Sequence, residues 1–239
     1  IKAYRGESVT LLGTTTGPVL VANSWQHVEC KVLFSQTVGT VEVRVNGVAV
    51  LALTGQDTVS GAIVSCGQVV LRNIAVGASL YYKDFVVWDG TGAQCNDFFG
   101  SVSVIGLTET ADVGALNWTP STGATGYNLI DEAPPVDTDY ISAADPPPSP
   151  AVMSLENLPA DVTSVKALMT LVRARKSDGG DGNLQIGLVS GASTDLGADH
   201  PLTTAFSYYY DVSELDPATA APWLPTAVDA ANIQFDRTL

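Results

Sequence analysis

The sequence predicts an all-β fold made of tandem antiparallel β-sandwiches. Val, Thr, Ala, Gly and Ser dominate a chain that is 46% hydrophobic and only 15% charged, which is typical of pleated strands and tight turns. Short alternating runs recur between turn signals, and residues 1–110 show no helical period of 3.6 residues. The 239 residues exceed the usual domain size of about 100–150, so two domains are expected.

A three-stranded meander is the clearest prediction in the first half. The alternation of apolar and polar residues predicts its strands at 28–33, 40–45 and 48–53. Asn46 and Gly47 separate the last two strands, and this dipeptide favours a two-residue hairpin because both residues accept a positive φ. Two further strands are predicted at 68–73 and 80–88. The first domain is therefore assigned to residues 1–110, and it is expected to continue upstream of Ile1.

Residues 111–150 differ in character from what precedes them, because they are rich in Pro, Gly and acidic residues. Three consecutive prolines at 146–148 lack amide donors, which excludes a sheet interior there. The segment is predicted to be either a connector or a long loop that belongs to the second domain.

The second domain, residues 151–239, has its own strand pattern. Strands are predicted at 165–175, 184–189, 205–212 and 233–237, with one short helix at 226–232. The Asp- and Gly-rich segment 178–183 is predicted to turn the first of these strands into the second, its returning partner. No motif of the first domain recurs, so the two sandwiches are not duplicates of one another.

The formal net charge of −14 is concentrated in the second half. Residues 1–100 carry six Lys and Arg against seven Asp and Glu, whereas residues 101–239 carry five against eighteen. Nucleic acids and anionic membranes require a basic surface, so neither is expected as a partner. The longest apolar run, residues 48–53, is far shorter than the roughly 20 residues of a membrane-spanning helix. Neutral glycans, basic protein surfaces and a role in solubility alone stay open.

No catalytic or cofactor-binding residue is predicted, and no cofactor is expected. His27 and His200 do not belong to a spaced His and Cys cluster of the kind that binds zinc, and they are assigned structural roles. Cys30, Cys66 and Cys95 are an odd number, which excludes a dense disulfide scaffold. Buried free thiols are the preferred interpretation, with one bridged pair as the alternative.

Acidic residues suggest two further kinds of site. Glycoside hydrolysis needs two carboxyls about 5–10 Å apart, but the predicted strands carry isolated acids and the dense acids lie within 111–150. A calcium site could use Asp178, Asp181 and Asn183, because calcium prefers oxygen ligands on a tight loop. The same residues are typical of a turn, which is the preferred interpretation, so no metal is predicted.

Aromatic side chains are the candidate ligand-binding or interface residues. They can stack on sugar rings or anchor a protein interface, and core packing is the alternative. Side chains alternate between the two faces of a strand, so three consecutive tyrosines cannot all point inward. The candidates are Trp88, Trp118, Tyr208, Tyr209, Tyr210 and Trp223.

Several segments resemble known proteins. Residues 25–32 and 39–47 are similar to the middle strands of concanavalin A-like, laminin-G-type jelly rolls, in which a Trp opens a strand and the next hairpin turns at Asn-Gly. Residues 81–92 and 96–104 resemble the end of that domain in virion proteins of tailed bacteriophages. Residues 117–123, 131–141 and 222–235 are also similar to those proteins.

This resemblance implies a non-enzymatic structural component of a bacteriophage particle, assembled in the host cytoplasm. A protein of the tail tip or fibre, or a head spike or decoration protein, fits it. The implied partners are other virion proteins, further copies of the same chain and glycans of the host surface. The alternative is a carbohydrate-binding module or lectin of a secreted bacterial protein. The paired acids of the family's glucanases are missing here, and its lectins' calcium site finds no counterpart.

Overall fold

The protein is nearly all β in a computed structural model that describes residues 1–6, 10–61, 65–71, 79–123, 125–144 and 149–238. In the described residues, strands take up 38% and helices 4%, and each strand pair there is antiparallel. The predicted all-β class is thereby confirmed. The chain forms two compact units, one of residues 1–87 and 98–104 and one of residues 88–97 and 105–239.

Unit 1 contains a hairpin and a three-stranded meander. The hairpin is β1–β2, and the meander has the strand order β3-β4-β5. The bounds are β1 Lys2–Arg5, β2 Thr10–Thr14, β3 Val28–Leu33, β4 Gly39–Val45 and β5 Val48–Gln56. The predicted strands at 28–33, 40–45 and 48–53 are therefore confirmed. Asn46 and Gly47 form the predicted tight turn, with φ of 50° and 79°.

The core of unit 1 lies on one face of the meander. Val41, Val43 and Leu51 are buried together, and Ile1, Leu12 and other apolar side chains pack against them. This face carries every second residue of β4, which is the alternation that predicted the strand.

A buried carboxylate on the opposite face of the meander fixes an irregular segment. Glu29 is buried on β3, and its Oε1 accepts hydrogen bonds from the backbone N–H groups of Phe99 and Gly100 at 2.9 and 3.0 Å. The ring of neighbouring Phe98 lies under the Arg44 guanidinium at 3.8 Å and the Lys31 ammonium at 5.7 Å. Segment 98–100 is thus held on the charged face of the sheet.

The predicted strand at 80–88 does not form. Asp84 adopts a left-handed φ of 53°, which interrupts an extended backbone, and its Oδ1 accepts the Val104 N–H at 3.1 Å. Residues 68–71 of the predicted strand 68–73 are not a strand either, and residues 72 and 73 lie outside the described residues. Aromatic and β-branched side chains predicted both strands, but such residues form a strand only where a neighbouring strand accepts their backbone hydrogen bonds.

Unit 2 has a main sheet of six strands in the order β12-β11-β17-β9-β6, with β13 also paired to β11. A separate ribbon pairs β10 with β14, and β7–β8 and β15–β16 form two short pairs. The bounds are β6 Glu109–Asp112, β7 Thr119–Pro120, β8 Ile141–Ser142, β9 Ala151–Leu155, β10 Leu168–Ala174, β11 Asn183–Ser190, β12 Ser193–Leu196, β13 His200–Pro201, β14 Ser207–Ser213, β15 Leu215–Asp216, β16 Ala221–Pro222 and β17 Asn232–Thr238. A 3₁₀ turn covers Tyr127–Leu129, and helix α1 covers Pro225–Asp229.

The core of unit 2 lies between the main sheet and the β10–β14 ribbon. Met153, Ile186 and Phe235, one each from β9, β11 and β17, are buried at its centre. Val172 of β10 and Tyr209 of β14 pack against them from the ribbon. Two antiparallel layers around one apolar core agree with a β-sandwich.

The second-half strands form at or near the predicted positions, but one predicted connection is wrong. The strands predicted at 184–189 and 233–237 are β11 and β17, while α1 is shorter than the predicted helix 226–232. β11 does not return alongside β10, because it pairs with β12, β13 and β17 in the other layer. The loop 178–183 therefore connects the two layers. The composition of a turn does not determine whether the next strand lies in the same layer or in the other one.

Segment 111–150 lies within unit 2 as far as it is described. The strand β6, Glu109–Asp112, pairs with β9 at one edge of the main sheet. Asp112 then caps the 3₁₀ turn, since its two carboxylate oxygens each accept a hydrogen bond of 2.9 Å from the N–H groups of Gly126 and Tyr127. The prolines at 146–148 fall outside the described residues. In the described residues, no helix is long and apolar enough to cross a membrane.

The two methionines of the chain test the assigned core. Met153 is fully buried in the core of unit 2, whereas Met169 on β10 is 60% exposed. Replacing Met153 by Ala leaves a cavity and should lower the free energy of unfolding by about 2–5 kcal/mol. Replacing Met169 by Ala removes the same atoms from the surface and should change it by less than about 1 kcal/mol. Denaturant unfolding of both variants measures the difference, and equal losses would contradict the assignment.

Candidate functional site

The outer face of the β10–β14 ribbon is the main candidate site. It consists of three directly opposed pairs, in which Met169 faces Val212, Leu171 faces Tyr210, and Arg173 faces Tyr208. The five apolar and aromatic members are each 53–60% exposed. An apolar surface of a few hundred Å² on a folded domain marks an interaction site more often than an isolated exposed residue does. We use "outer face" below for these six residues.

An ion pair orders one end of the outer face. Arg173 donates two hydrogen bonds to Asp137, from Nε to Oδ1 at 2.6 Å and from Nη2 to Oδ2 at 2.8 Å. These hydrogen bonds lower the pKa of Asp137. The Arg173 guanidinium also lies 5.3 Å from the ring centre of Tyr208 and 5.1 Å from that of Phe206. Arg173 is thus held by a carboxylate and two aromatic rings, which fixes the position of its charge.

The inner face of the ribbon is anchored to the main sheet. Tyr209 packs on the core, and its hydroxyl lies 3.3 Å from the Thr203 N–H and 3.4 Å from the Pro201 carbonyl. Asp211 accepts the Ala198 N–H at 3.0 Å and lies 2.7 Å from Nε2 of His200. These contacts hold the backbone of β14, so the outer face is displayed on a fixed support.

The six aromatic candidates divide between surface and core. Tyr208 and Tyr210 are exposed, as the alternation argument requires, and Tyr209 points inward. Trp223 is not an exposed ligand residue, because it is 2% exposed in a second buried cluster of unit 2, with Leu188 and Val228. Its place is explained by α1, whose Val228 packs against the indole. Two candidates are half-buried: Trp118, which packs on the core, and Trp88.

The calcium candidates lie in a loop that is closed by its own hydrogen bonds. Asp178 Oδ1 accepts the Gly180 N–H at 2.9 Å, and Lys176 Nζ donates to the Gly180 carbonyl at 2.6 Å. The side-chain amide of Asn183 donates to Asp199, which lies outside the loop, at 2.8 Å. Asp181 is exposed. Within the described residues, no group of three or more His, Cys, Asp or Glu could hold a metal ion.

One carboxyl has a strongly perturbed pKa. Burial, with smaller contributions from the charges of Asp131 and Glu132, raises the pKa of Glu109 on β6 to about 7. A cavity of about 580 Å³ lies near the same edge and is lined by Leu107, Thr110, Leu155, Glu156 and neighbours, but Glu109 does not line it. Glu156 is the cavity's one carboxylate, and it accepts the Thr108 N–H at 3.3 Å. The paired carboxyls of a glycosidase are not assembled in this cavity.

The histidines and cysteines lie outside the outer face. His27 lies 3.8 Å from Glu29 in unit 1, and His200 contacts Asp211 as described above. All three cysteines are free, as predicted, but only Cys95 is buried, and Cys30 and Cys66 are exposed. Burial, together with the charge of Glu214, raises the pKa of Cys95 to about 11, so this thiol is a poor nucleophile at neutral pH.

Comparisons with known proteins identify no relative. The sequence matches no family model, no curated protein and no solved structure. The resemblance to jelly-roll and bacteriophage proteins therefore stays a prediction.

Sequence reasoning missed the half of the outer face that lies on β10. Met169, Leu171 and Arg173 lie within the strand predicted at 165–175, but the sequence did not indicate which face of that strand would be exposed. The missing signal is register, since Leu171 pairs with exposed Tyr210 and Val172 pairs with inward Tyr209. The tyrosine run could have assigned the faces of β10 only after the β10–β14 pairing was known.

The raised pKa of Glu109 predicts a pH-dependent stability. The folded state binds the proton more tightly than the unfolded chain does, so this stabilisation is complete below pH 4.5 and is lost as the pH rises through about 7. Glu109→Gln cannot ionise, so at pH 8 its free energy of unfolding should exceed that of the wild type by about 1–3 kcal/mol. The difference should shrink towards pH 4. Denaturant titrations at both pH values measure it, with Glu156→Gln as the matched control, and a pH-independent difference would contradict the burial of a neutral Glu109.

Proposed function

We propose that this chain is a non-catalytic structural subunit of a bacteriophage particle that packs against another virion protein through the outer face. The observation that carries the proposal is the rigid apolar surface formed by Met169, Leu171, Tyr208, Tyr210 and Val212. Met, Tyr and Arg are enriched in the centres of protein interfaces, whereas Lys and Glu are depleted there. The outer face contains the first three residue types and neither of the last two.

The arrangement of the outer face suits a protein partner with a complementary apolar patch. Leu171 and Tyr210 lie at the centre of the three pairs, flanked by one apolar pair and by the Arg173–Tyr208 pair. Energetically important interface residues cluster at such a centre, where the surrounding contacts exclude water. The bidentate pair of Arg173 and Asp137 then supplies a polar rim. The membership of the partner in a virion rests on the segments that resemble tailed-phage proteins.

Substitution at the centre of the outer face tests this function. The double variant Leu171→Ser and Tyr210→Ser should keep the fold, because both side chains are exposed, and should reduce incorporation into particles by at least tenfold. Leu224→Ser replaces another exposed leucine of unit 2, at 65% exposure, and should be incorporated like wild type. The measurement is quantitative mass spectrometry of purified particles of a phage whose genome encodes the chain. Absence of the wild-type chain from those particles, or normal incorporation of the double variant, would refute the proposal.

A carbohydrate-binding module is the second candidate function, and the two exposed tyrosines favour it. Tyr208 and Tyr210 lie two residues apart on one face of β14, so their rings stand roughly 7 Å apart along the strand. Sugar rings stack on such aromatic faces, and the Arg173–Asp137 pair offers hydrogen-bonding groups beside them.

Glycan binding separates the two functions. If the outer face binds sugars, the purified chain should bind a glycan array, and Tyr208→Ala or Tyr210→Ala should each weaken binding at least tenfold. Tyr81→Ala changes an exposed tyrosine of unit 1, 77% exposed, and should leave binding unchanged. An array without signal for the wild-type chain would rule this second candidate out and leave the protein partner in place.

A further inference from the structure

Strand β3 of unit 1 presents an edge that no other strand of the described chain covers. It pairs with β4 on one side only. The Asn46 N–H donates to the His27 carbonyl at 2.8 Å, so these two residues form a hydrogen-bonded pair. In an antiparallel ladder every second opposed pair is hydrogen-bonded. Glu29, Lys31 and Leu33 therefore direct their backbone groups towards β4. Val28, Cys30 and Val32 direct theirs outward, so the edge offers N–H and C=O groups to an added strand.

The side chains of the same three residues form an exposed apolar row. Val28, Cys30 and Val32 lie directly opposite the buried Val45, Val43 and Val41 of β4. They continue the core face of the meander, yet Val28 and Val32 are 49% and 38% exposed and Cys30 is exposed as well. A strand added at this edge would cover the row and extend the core by one strand. Long apolar edges of this kind are ready to pair with another chain.

The sequence of β3 is complementary to itself. In an antiparallel pair centred on Cys30, Val28 faces Val32 of the other copy and Glu29 faces its Lys31. Apolar pairs and pairs of opposite charge are the favourable cross-strand neighbours. Glu29 is already fixed by the N–H groups of Phe99 and Gly100, so its charge has a defined position in the pair.

Other registers of this pair of β3 strands have less favourable cross-strand neighbours. A shift of the partner by two residues sets Glu29 against Glu29 in one direction and Lys31 against Lys31 in the other, which places like charges opposite each other. A shift by one residue turns the partner over, so that its charged face meets the apolar row. One register alone matches both faces.

We propose that β3 pairs antiparallel with β3 of a second copy, about a two-fold axis at Cys30. The two three-stranded meanders then form one continuous six-stranded sheet, with Val28 and Val32 buried at the joint. The interface is isologous, because each copy contributes the same strand. This inference uses unit 1 alone and does not rest on the proposed function, which depends on the outer face of unit 2.

The oligomeric state of the purified full chain tests the pairing. Sedimentation equilibrium should show a dimer, and Val32→Lys should weaken the dimer at least tenfold, since it places a charge against Val28 of the partner. Lys31→Glu should do the same by facing Glu29 with a second carboxylate. Val48→Lys introduces the same charge at an exposed valine of β5, two strands away from the edge, and should leave the dimer intact. A monomeric wild type, or a Val32→Lys variant that dimerises normally, would overturn the proposal.

A cysteine cross-link gives a second readout that does not depend on edge variants staying folded. The Cα atoms of opposed residues in a hydrogen-bonded antiparallel pair are about 5.5 Å apart, within the span of a disulfide. Mild oxidation with diamide should therefore link two copies through Cys30. Cys30→Ser should abolish the covalent dimer, and Cys66→Ser, at another exposed cysteine, should retain it. A cross-link that survives Cys30→Ser would overturn the proposed register, whatever the outcome of the particle experiment.

Discussion

Irregular backbone needs hydrogen-bond acceptors, and in this protein carboxylates supply many of them. Glu29 accepts the N–H groups of Phe99 and Gly100, and Asp112 accepts those of Gly126 and Tyr127. Glu214 accepts the Gln94 N–H at 2.6 Å, a hydrogen bond that lowers the pKa of Glu214. Asp84, Glu156, Asp211, Asp216 and Asp229 act in the same way on other loop amides. Because a backbone amide without an acceptor is costly, these side chains stabilise the loops whose amides they accept. The acidity of the second half thus has a structural use that requires no basic partner.

Anchoring contacts of this kind also determine which side chains of β14 are exposed. Asp211 and Tyr209 tie β14 to the main sheet, and alternation then leaves Tyr208, Tyr210 and Val212 on the opposite side. The apolar outer face cannot turn inward without breaking these contacts. A surface of fixed shape loses little conformational entropy when a partner binds, which favours association. Meanwhile the perturbed carboxyl, Glu109, lies at another edge and does not line the neighbouring cavity. The carboxyl with the raised pKa and the outer face therefore lie at different places in unit 2.

Local patterns in the sequence predicted those features that depend on neighbouring residues. The period-2 alternation of 40–45 and the Asn46-Gly47 turn sufficed for β4 and its hairpin, because both preferences act within a few residues. The strand predicted at 80–88 failed because a strand also needs a partner, and the left-handed Asp84 prevents the extended run. Trp223 was wrongly predicted to be an exposed candidate, and the exposure of Leu171 was not predicted, for a related reason. Which face of a strand or loop is buried depends on pairing and on the packing of α1, both long-range properties.

The two exposed apolar surfaces arise from one property of the chain. Its strands alternate strongly, yet β3 and the β10–β14 ribbon each lack a covering layer on one apolar row in the described residues. Few charged residues are available to protect these rows, since only 15% of the chain is charged. Natural edge strands that stay monomeric usually carry Lys, Pro or a bulge that blocks pairing. β3 carries one Lys and no Pro, and its pairing with β4 runs without a register shift. In the antiparallel pair centred on Cys30, that single lysine faces Glu29, so the residue that would protect the edge instead selects the partner strand.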